Sequence, residues 1–158
     1  MANDEETSII ELLDSPEFIP TVVRWIRQEW PDARNDAAIE ERLCGSRRGG
    51  TLPLALVAVL NSAPIGFASL TLYENGIEQG RPHWIDALYV EPAYRGHGIA
   101  RQMLQAAEEK SVVLGLTELF ALTEIPGLYH KCGWRSVEEI TTPTGRDFIV
   151  ARRLDEKG

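Results

Sequence analysis

Residues 94–100 read Tyr-Arg-Gly-His-Gly-Ile-Ala, between an apolar run at 83–90 and a helix-patterned run that follows. A junction from strand to helix exposes backbone N–H groups at the positive end of the helix dipole, which suits an anion. Gly96 and Gly98 let the backbone adopt positive φ and approach that anion closely. Arg95 adds a guanidinium able to make forked hydrogen bonds to phosphate. A dinucleotide fingerprint would want a third glycine where Arg101 stands, and a P-loop would want a lysine that is not there. Taken alone, the stretch reads equally as a ligand cradle and as a plain turn.

Acidic and aromatic residues form the second group of interest. Asp86 interrupts the apolar run "WIDALYV", and a buried charge without a partner is costly. It reads as a reactive carboxylate or as a hydrogen-bonded structural aspartate. Strand alternation puts it on the face of Leu88 and Val90. Glu74 and Glu124 stand at the ends of neighbouring strands. Trp25, Glu29, Trp30 and Asp32 cluster around the first helix, a composition that suits a cationic amine, although core packing explains Trp30 as well. Arg47 and Arg48 beside a glycine pair suit a phosphate or a solvated turn.

These residues need elements to position them. A first strand at 7–13 precedes a helix with Ser15 as cap and Pro16 at its first position. Phe18, Val22, Ile26 and Trp30 follow at four-residue spacing as its stripe. A short second helix starts at the polar cap before Ala37 and ends at Gly45. Runs at 54–60 and 65–74 form a hairpin, and 83–90 is the next strand. From Gly98 the pattern is helical, with Ala100, Met103, Leu104, Ala107, Ser111 and Leu114 on one face. A strand at 117–124 completes a strand–helix–strand unit, whose strands are expected parallel and close together. A short helix within 125–134 and a final antiparallel pair give about seven strands and three or four helices.

Composition bounds the function. The 158 residues are 44% hydrophobic and 25% charged, so one soluble domain spanning 1–158 is expected. No run approaches the roughly 20 apolar residues of a membrane span, and the acidic start is unlike a signal peptide; a cytoplasmic location is expected. A net charge of −8 argues against nucleic acid and anionic membranes as partners and favours cationic small molecules. Cys44 and Cys132 carry no metal-ligand spacing, and His83, His97 and His130 are scattered; two reduced thiols and no metal are expected.

Arg95, Gly98 and Ala100 also fit Q/R-x-x-G-x-G/A, the pyrophosphate loop of the GCN5-related N-acetyltransferases (GNAT). About thirty residues on, "LYHKCGW" (128–134) resembles that superfamily's Tyr-x-x-x-Gly-aromatic signature. The order of elements agrees, so the resemblance spans nearly the whole chain. It implies a mixed α/β (α+β), mostly antiparallel sheet whose central parallel strands, 83–90 and 117–124, splay to hold acetyl-CoA. By resemblance, backbone groups of Leu88, Tyr89 and Val90 pair with the pantetheine arm, and Arg95, Gly96, His97, Gly98, Ile99 and Ala100 surround the pyrophosphate. The side chain of His97 projects into solvent on this reading.

The implied activity is acetyl transfer to the amine of a small, cationic acceptor by direct attack. Tyr129 matches the family's catalytic tyrosine and would protonate the departing thiolate, or else only pack against the sulfur. An N–H near Val90 would stabilise the oxyanion. Asp86 is the candidate base, with Glu124 and Glu74 as rivals through water. Trp84 replaces an acid found in some relatives and suits a substrate wall. A CoA-binding sensor without catalysis and a peptide N-acetyltransferase are the alternatives, and pairing through edge strands would give a homodimer.

Overall fold

A computed structural model describes residues 6–31, 35–43 and 54–154. Asp32, Cys44, Arg47 and Arg48 lie outside them, as does the Glu74 side chain. The strands are β1 (Ser8–Glu11), β2 (Leu54–Leu60), β3 (Ala63–Leu72), β4 (His83–Val90), β5 (Glu118–Thr123), β6 (Arg135–Thr142) and β7 (Gly145–Arg153). The helices are α1 (Ile19–Glu29), α2 (Asp36–Leu43), α3 (Ile99–Val113) and α4 (Pro126–Lys131). All seven strands form one sheet in the order β1-β2-β3-β4-β5-β7-β6. Every pairing is antiparallel except β4–β5. The expected mixed, mostly antiparallel sheet with one central parallel pair is therefore present. Among the described residues, no helix is long and apolar enough to cross a membrane.

Local chemistry sets most boundaries. Asn61 and Ser62, both at positive φ, make the two-residue β2–β3 turn, whose backbone matches the twist of the strands. The Asn35 side chain accepts a hydrogen bond from the Ala38 N–H at 2.9 Å and so caps α2. The first helix departs from expectation. Pro16–Phe18 form a 3-10 turn and α1 starts only at Ile19, with Pro20 in its first turn, where a missing N–H costs nothing.

Two layers cover the sheet. On one face α3 buries Met103, Leu104 and Ala107 against β2 to β5; its one buried hydroxyl, Ser111, donates to the Ala107 carbonyl at 2.7 Å. On the other face α1 and α2 pack over β1 to β4 through Val22, Val23, Trp25 and Ile39. The core stripe of α1 thus runs through Trp25, which is 1% exposed, while Trp30 is 40% exposed. The rest of that face, over β5–β7–β6, holds Trp84, Phe120, Ile149 and Ile140, a cluster of strand residues alone. A cleft lies beside this half-covered ground.

Candidate active site

Strands β4 and β5 pair at only two positions, Trp84 with Phe120 and Ile85 with Ala121. Beyond Ile85, β4 keeps β3 along its other edge as far as Val90, opposite Gly66, while β5 stays with β7 to Thr123. The sheet therefore opens between 86–90 and the end of β5. A bulge marks the point of departure: Ser69 faces Ala87 and Leu70 faces Ile85, so Asp86 is the extra residue of the bulge. Such a residue bends its strand and increases the local twist.

One side of the opening is a groove of about 410 Å3 built on the loop before α3. Leu88, Tyr89, Val90, Arg95, Gly96, Gly98, Ile99 and Ala100 all line it, so the structure brings together every residue expected there except His97. The His97 side chain is exposed and forms no part of the wall. Gly96 and Gly98 sit at φ of 83° and 81°, a region costly for any residue with a Cβ. A Cβ at either position would meet no protein atom within 4 Å; it would intrude on the groove itself. Gly98 is also the residue from which α3 starts, so the first N–H groups of a fifteen-residue helix open onto this space. These features fit a phosphate-bearing ligand.

Arg95 is more tightly tied than the sequence suggests. Its Nε donates to the Val90 carbonyl at 2.8 Å, and its guanidinium lies 5.6 Å from the centre of the Tyr89 ring. It therefore fixes the loop to the end of β4 while lining the groove. Arg101, one turn into α3, contributes a second cation to the wall. In sequence Arg101 stood as a missing glycine and on the polar face of the helix; its place on the first turn was the signal for this role.

The other side is a cleft of about 840 Å3 where Asp86, Glu124 and Tyr129 meet. Groove and cleft share Glu29, Leu88, Ile125 and Leu128, so the two spaces are continuous at the splay. Asp86 does not share a face with Leu88 and Val90. Ile85, Leu88 and Val90 pack towards α3, whereas Asp86 accepts a hydrogen bond from Ser69, which alternates with Phe67 under α1. The bulge breaks the simple alternation and turns the carboxylate to the α1 face. Glu124 is exposed at the rim. Trp84 lines the cleft as a wall, packed edge-on to Tyr73 at 5.9 Å. Glu29 and Trp30 reach the cleft from the end of α1; Trp25, stacked on Phe67 in the core, does not. Tyr73, Leu122 and Ile125 also line it and had drawn no attention in sequence.

Tyr129 reaches the cleft from α4, with only 5% of its surface exposed. Burial pushes its phenol up to about 12, so the O–H is intact at any physiological pH. Trp134 packs edge-on against its ring at 5.2 Å, and the Trp134 N–H returns to the Tyr129 carbonyl at 3.0 Å. Between them Gly133 sits at φ 90°, where a Cβ would lie 2.6 Å from the Arg152 guanidinium. That explains a glycine in the Tyr-x-x-x-Gly-aromatic pattern: the turn takes the left-handed backbone that glycine adopts freely, and a Cβ would also displace the Arg152 guanidinium.

Residues 19–134 match the model of the Acetyltransferase (GNAT) family. The chain is 27% identical over 119 residues to an aminoglycoside N(6')-acetyltransferase type 1 of Stenotrophomonas maltophilia, a match covering 70% of this chain and 76% of that protein. Among solved structures it resembles an aminoglycoside 6'-N-acetyltransferase complexed with coenzyme A, at 18% identity and a TM-score of 0.74 over 96% of this chain and 99% of that one. It also resembles the NatC complex bound to Gag peptide and coenzyme A, at 21% identity and a TM-score of 0.72 over 94% of this chain and 98% of that one.

Proposed function

The chain belongs to the acetyltransferase (GNAT) family, and from that premise we propose that it transfers the acetyl group of acetyl-CoA to the primary amine of a small cationic acceptor. The observation that carries this is the continuity of groove and cleft through Leu88, Ile125 and Leu128. An anionic donor held at the loop and an amine held at the carboxylates would meet at the splay. A relative that is an aminoglycoside N(6')-acetyltransferase supports an amine acceptor.

In this scheme the loop of Gly96 and Gly98, the start of α3, Arg95 and Arg101 hold the phosphates. Leu88, Tyr89 and Val90 hold the arm that leads to the thioester, which supplies an activated acetyl carbonyl. Transfer forms an N–C bond, breaks a C–S bond and releases a proton from the amine. The Asp86 carboxylate takes that proton directly, and Glu124 stands second through water. The Tyr129 phenol lies near 12, well above a thiol at about 8.5, so complete proton transfer to sulfur is uphill. Tyr129 acts instead as a neutral hydrogen-bond donor to the charge that develops there, and solvent completes the protonation.

Calorimetric titration with acetyl-CoA, NADH and ATP, followed by free-thiol release with an amine panel, tests the proposal. Selective binding of acetyl-CoA near the micromolar range, about −8 kcal/mol, with amine-dependent thiol release, supports it. Equal binding of NADH or ATP, or thiol release indifferent to added amine, refutes it.

A further inference from the structure

Resting on the reading of the cleft as the amine site, we infer that the acceptor carries its ammonium group on an apolar, aromatic body rather than on a sugar or a peptide. Charge is segregated across the splay. The groove has Arg95 and Arg101, whereas the charged residues of the cleft are Glu29, Asp86 and Glu124, all acidic; Glu29 stands on the border that the two spaces share. That half of the site suits a cation. The remainder of the wall carries large apolar side chains that stand exposed. Trp30, Tyr73, Leu122 and Ile125 are 40, 40, 54 and 67% exposed, and all four line this one cleft. Exposed apolar side chains gathered at one concave place mark a ligand-contact surface.

Apart from its three carboxylates and two phenols, the wall offers little with which to read hydroxyl groups. The indole N–H of Trp84 donates to the Arg81 carbonyl at 2.5 Å, so the ring presents only carbon to its neighbours. The Ser69 hydroxyl is committed to Asp86, and the Thr123 hydroxyl accepts the Ile125 N–H at 3.0 Å. Aromatic faces beside carboxylates recognise an arylalkyl ammonium ion, through ring stacking for the body and cation–π and charge contacts for the head. A volume of about 840 Å3 falls within the range for small-molecule sites, about 300–1,000 Å3.

Steady-state thiol release with phenethylamine, spermidine, kanamycin and a short peptide with a free amino terminus tests this. Phenethylamine should show a kcat/KM at least tenfold above the other three. Trp84→Ala should raise its KM about tenfold and leave the Kd for acetyl-CoA unchanged. Because Trp84 also packs on Phe120, the exposed Leu122→Glu is the second variant: an added negative charge lowers KM if charge alone governs binding, and raises it if the apolar body does. Kanamycin, spermidine or peptide turned over as well as phenethylamine, or a KM lowered by Leu122→Glu, overturns the inference and leaves the amine-site reading standing. No turnover of any amine by a chain that binds acetyl-CoA overturns both.

Discussion

Ser69 on β3 donates its hydroxyl hydrogen to the carboxylate of Asp86 on β4, and the two meet because Asp86 is the extra residue of a bulge. Without the bulge the carboxylate would lie on the α3 face with Leu88 and Val90, where a charge would be costly. One inserted residue thus turns a charge from the core to the cleft and bends β4 where β5 leaves it.

Asp86→Asn should lower kcat by about 10²–10⁴ with the Kd for acetyl-CoA unchanged. Ser69→Ala should lower kcat by roughly tenfold through lost orientation of the carboxylate, with the Kd for acetyl-CoA unchanged and Ser69→Thr restoring most of the loss. A kcat that survives in Asp86→Asn but falls in Glu124→Gln would move the base to Glu124.

Gly98→Ala separates backbone strain from ligand contact. At φ 81° a Cβ costs about 1–2 kcal/mol, yet no protein atom lies within 4 Å of it, so the fold should survive. The methyl group would occupy the groove, and affinity for acetyl-CoA should fall at least tenfold. Gly80→Ala is the control, because Gly80 has φ 74° and equally open surroundings but stands outside the groove. Equal acetyl-CoA affinity in the two variants would remove the loop from the binding site.

The sequence made the loop, the strand–helix–strand unit and the order of the elements legible, because glycine spacing and hydrophobic period are local signals. The bounds of the 83–90 strand were legible for the same reason. What it hid is relational. Period-two alternation predicts the face of Asp86 only for a strand of even register, and the bulge appears only once β3 is laid beside β4. The four-residue spacing from Phe18 to Trp30 looked like a core stripe, yet Trp25 fills the core and Trp30 lies on the cleft. Tyr73, Leu122 and Ile125 sit in different elements, and only the splay of β4 from β5 brings them to one cavity.

Tyr129→Phe should reduce kcat tenfold or more while acetyl-CoA binding is retained, since the ring still packs on Trp134. The loss should be the same at pH 7 and pH 9, because burial holds the phenol near 12 and it stays neutral at both. A phenol raised from 10 in the unfolded chain to about 12 when folded binds its proton more tightly in the native state. Its contribution, about 3 kcal/mol, is complete below pH 10 and is lost as pH rises towards 12. Wild type should therefore lose stability across that window more steeply than Tyr129→Phe in alkaline denaturant melts. Parallel curves would place the phenol in solvent rather than in the protein interior.

Glu108 on α3 holds the turn that carries Tyr129. Its carboxylate accepts the Trp134 indole N–H at 3.1 Å and the Arg152 Nε at 3.3 Å, and Arg152 reaches on to the Gly133 carbonyl at 3.0 Å. The Glu108 side chain is 16% exposed and that of Arg152 is 27%, so solvent screens this network less than a surface pair. Glu108→Ala leaves an indole N–H and a guanidinium short of an acceptor, at about 1–3 kcal/mol. For a chain of this size each kcal/mol moves Tm by about 2–4 °C, so a drop of roughly 2–12 °C is expected by calorimetry. Well below that Tm, kcat should fall severalfold with KM for the amine unchanged, because the displaced element is the one bearing Tyr129. Glu108→Gln, which keeps one acceptor oxygen, should recover part of both losses. A lower Tm with kcat intact would make the network a support for the fold alone, with Tyr129 held in place by Trp134 packing.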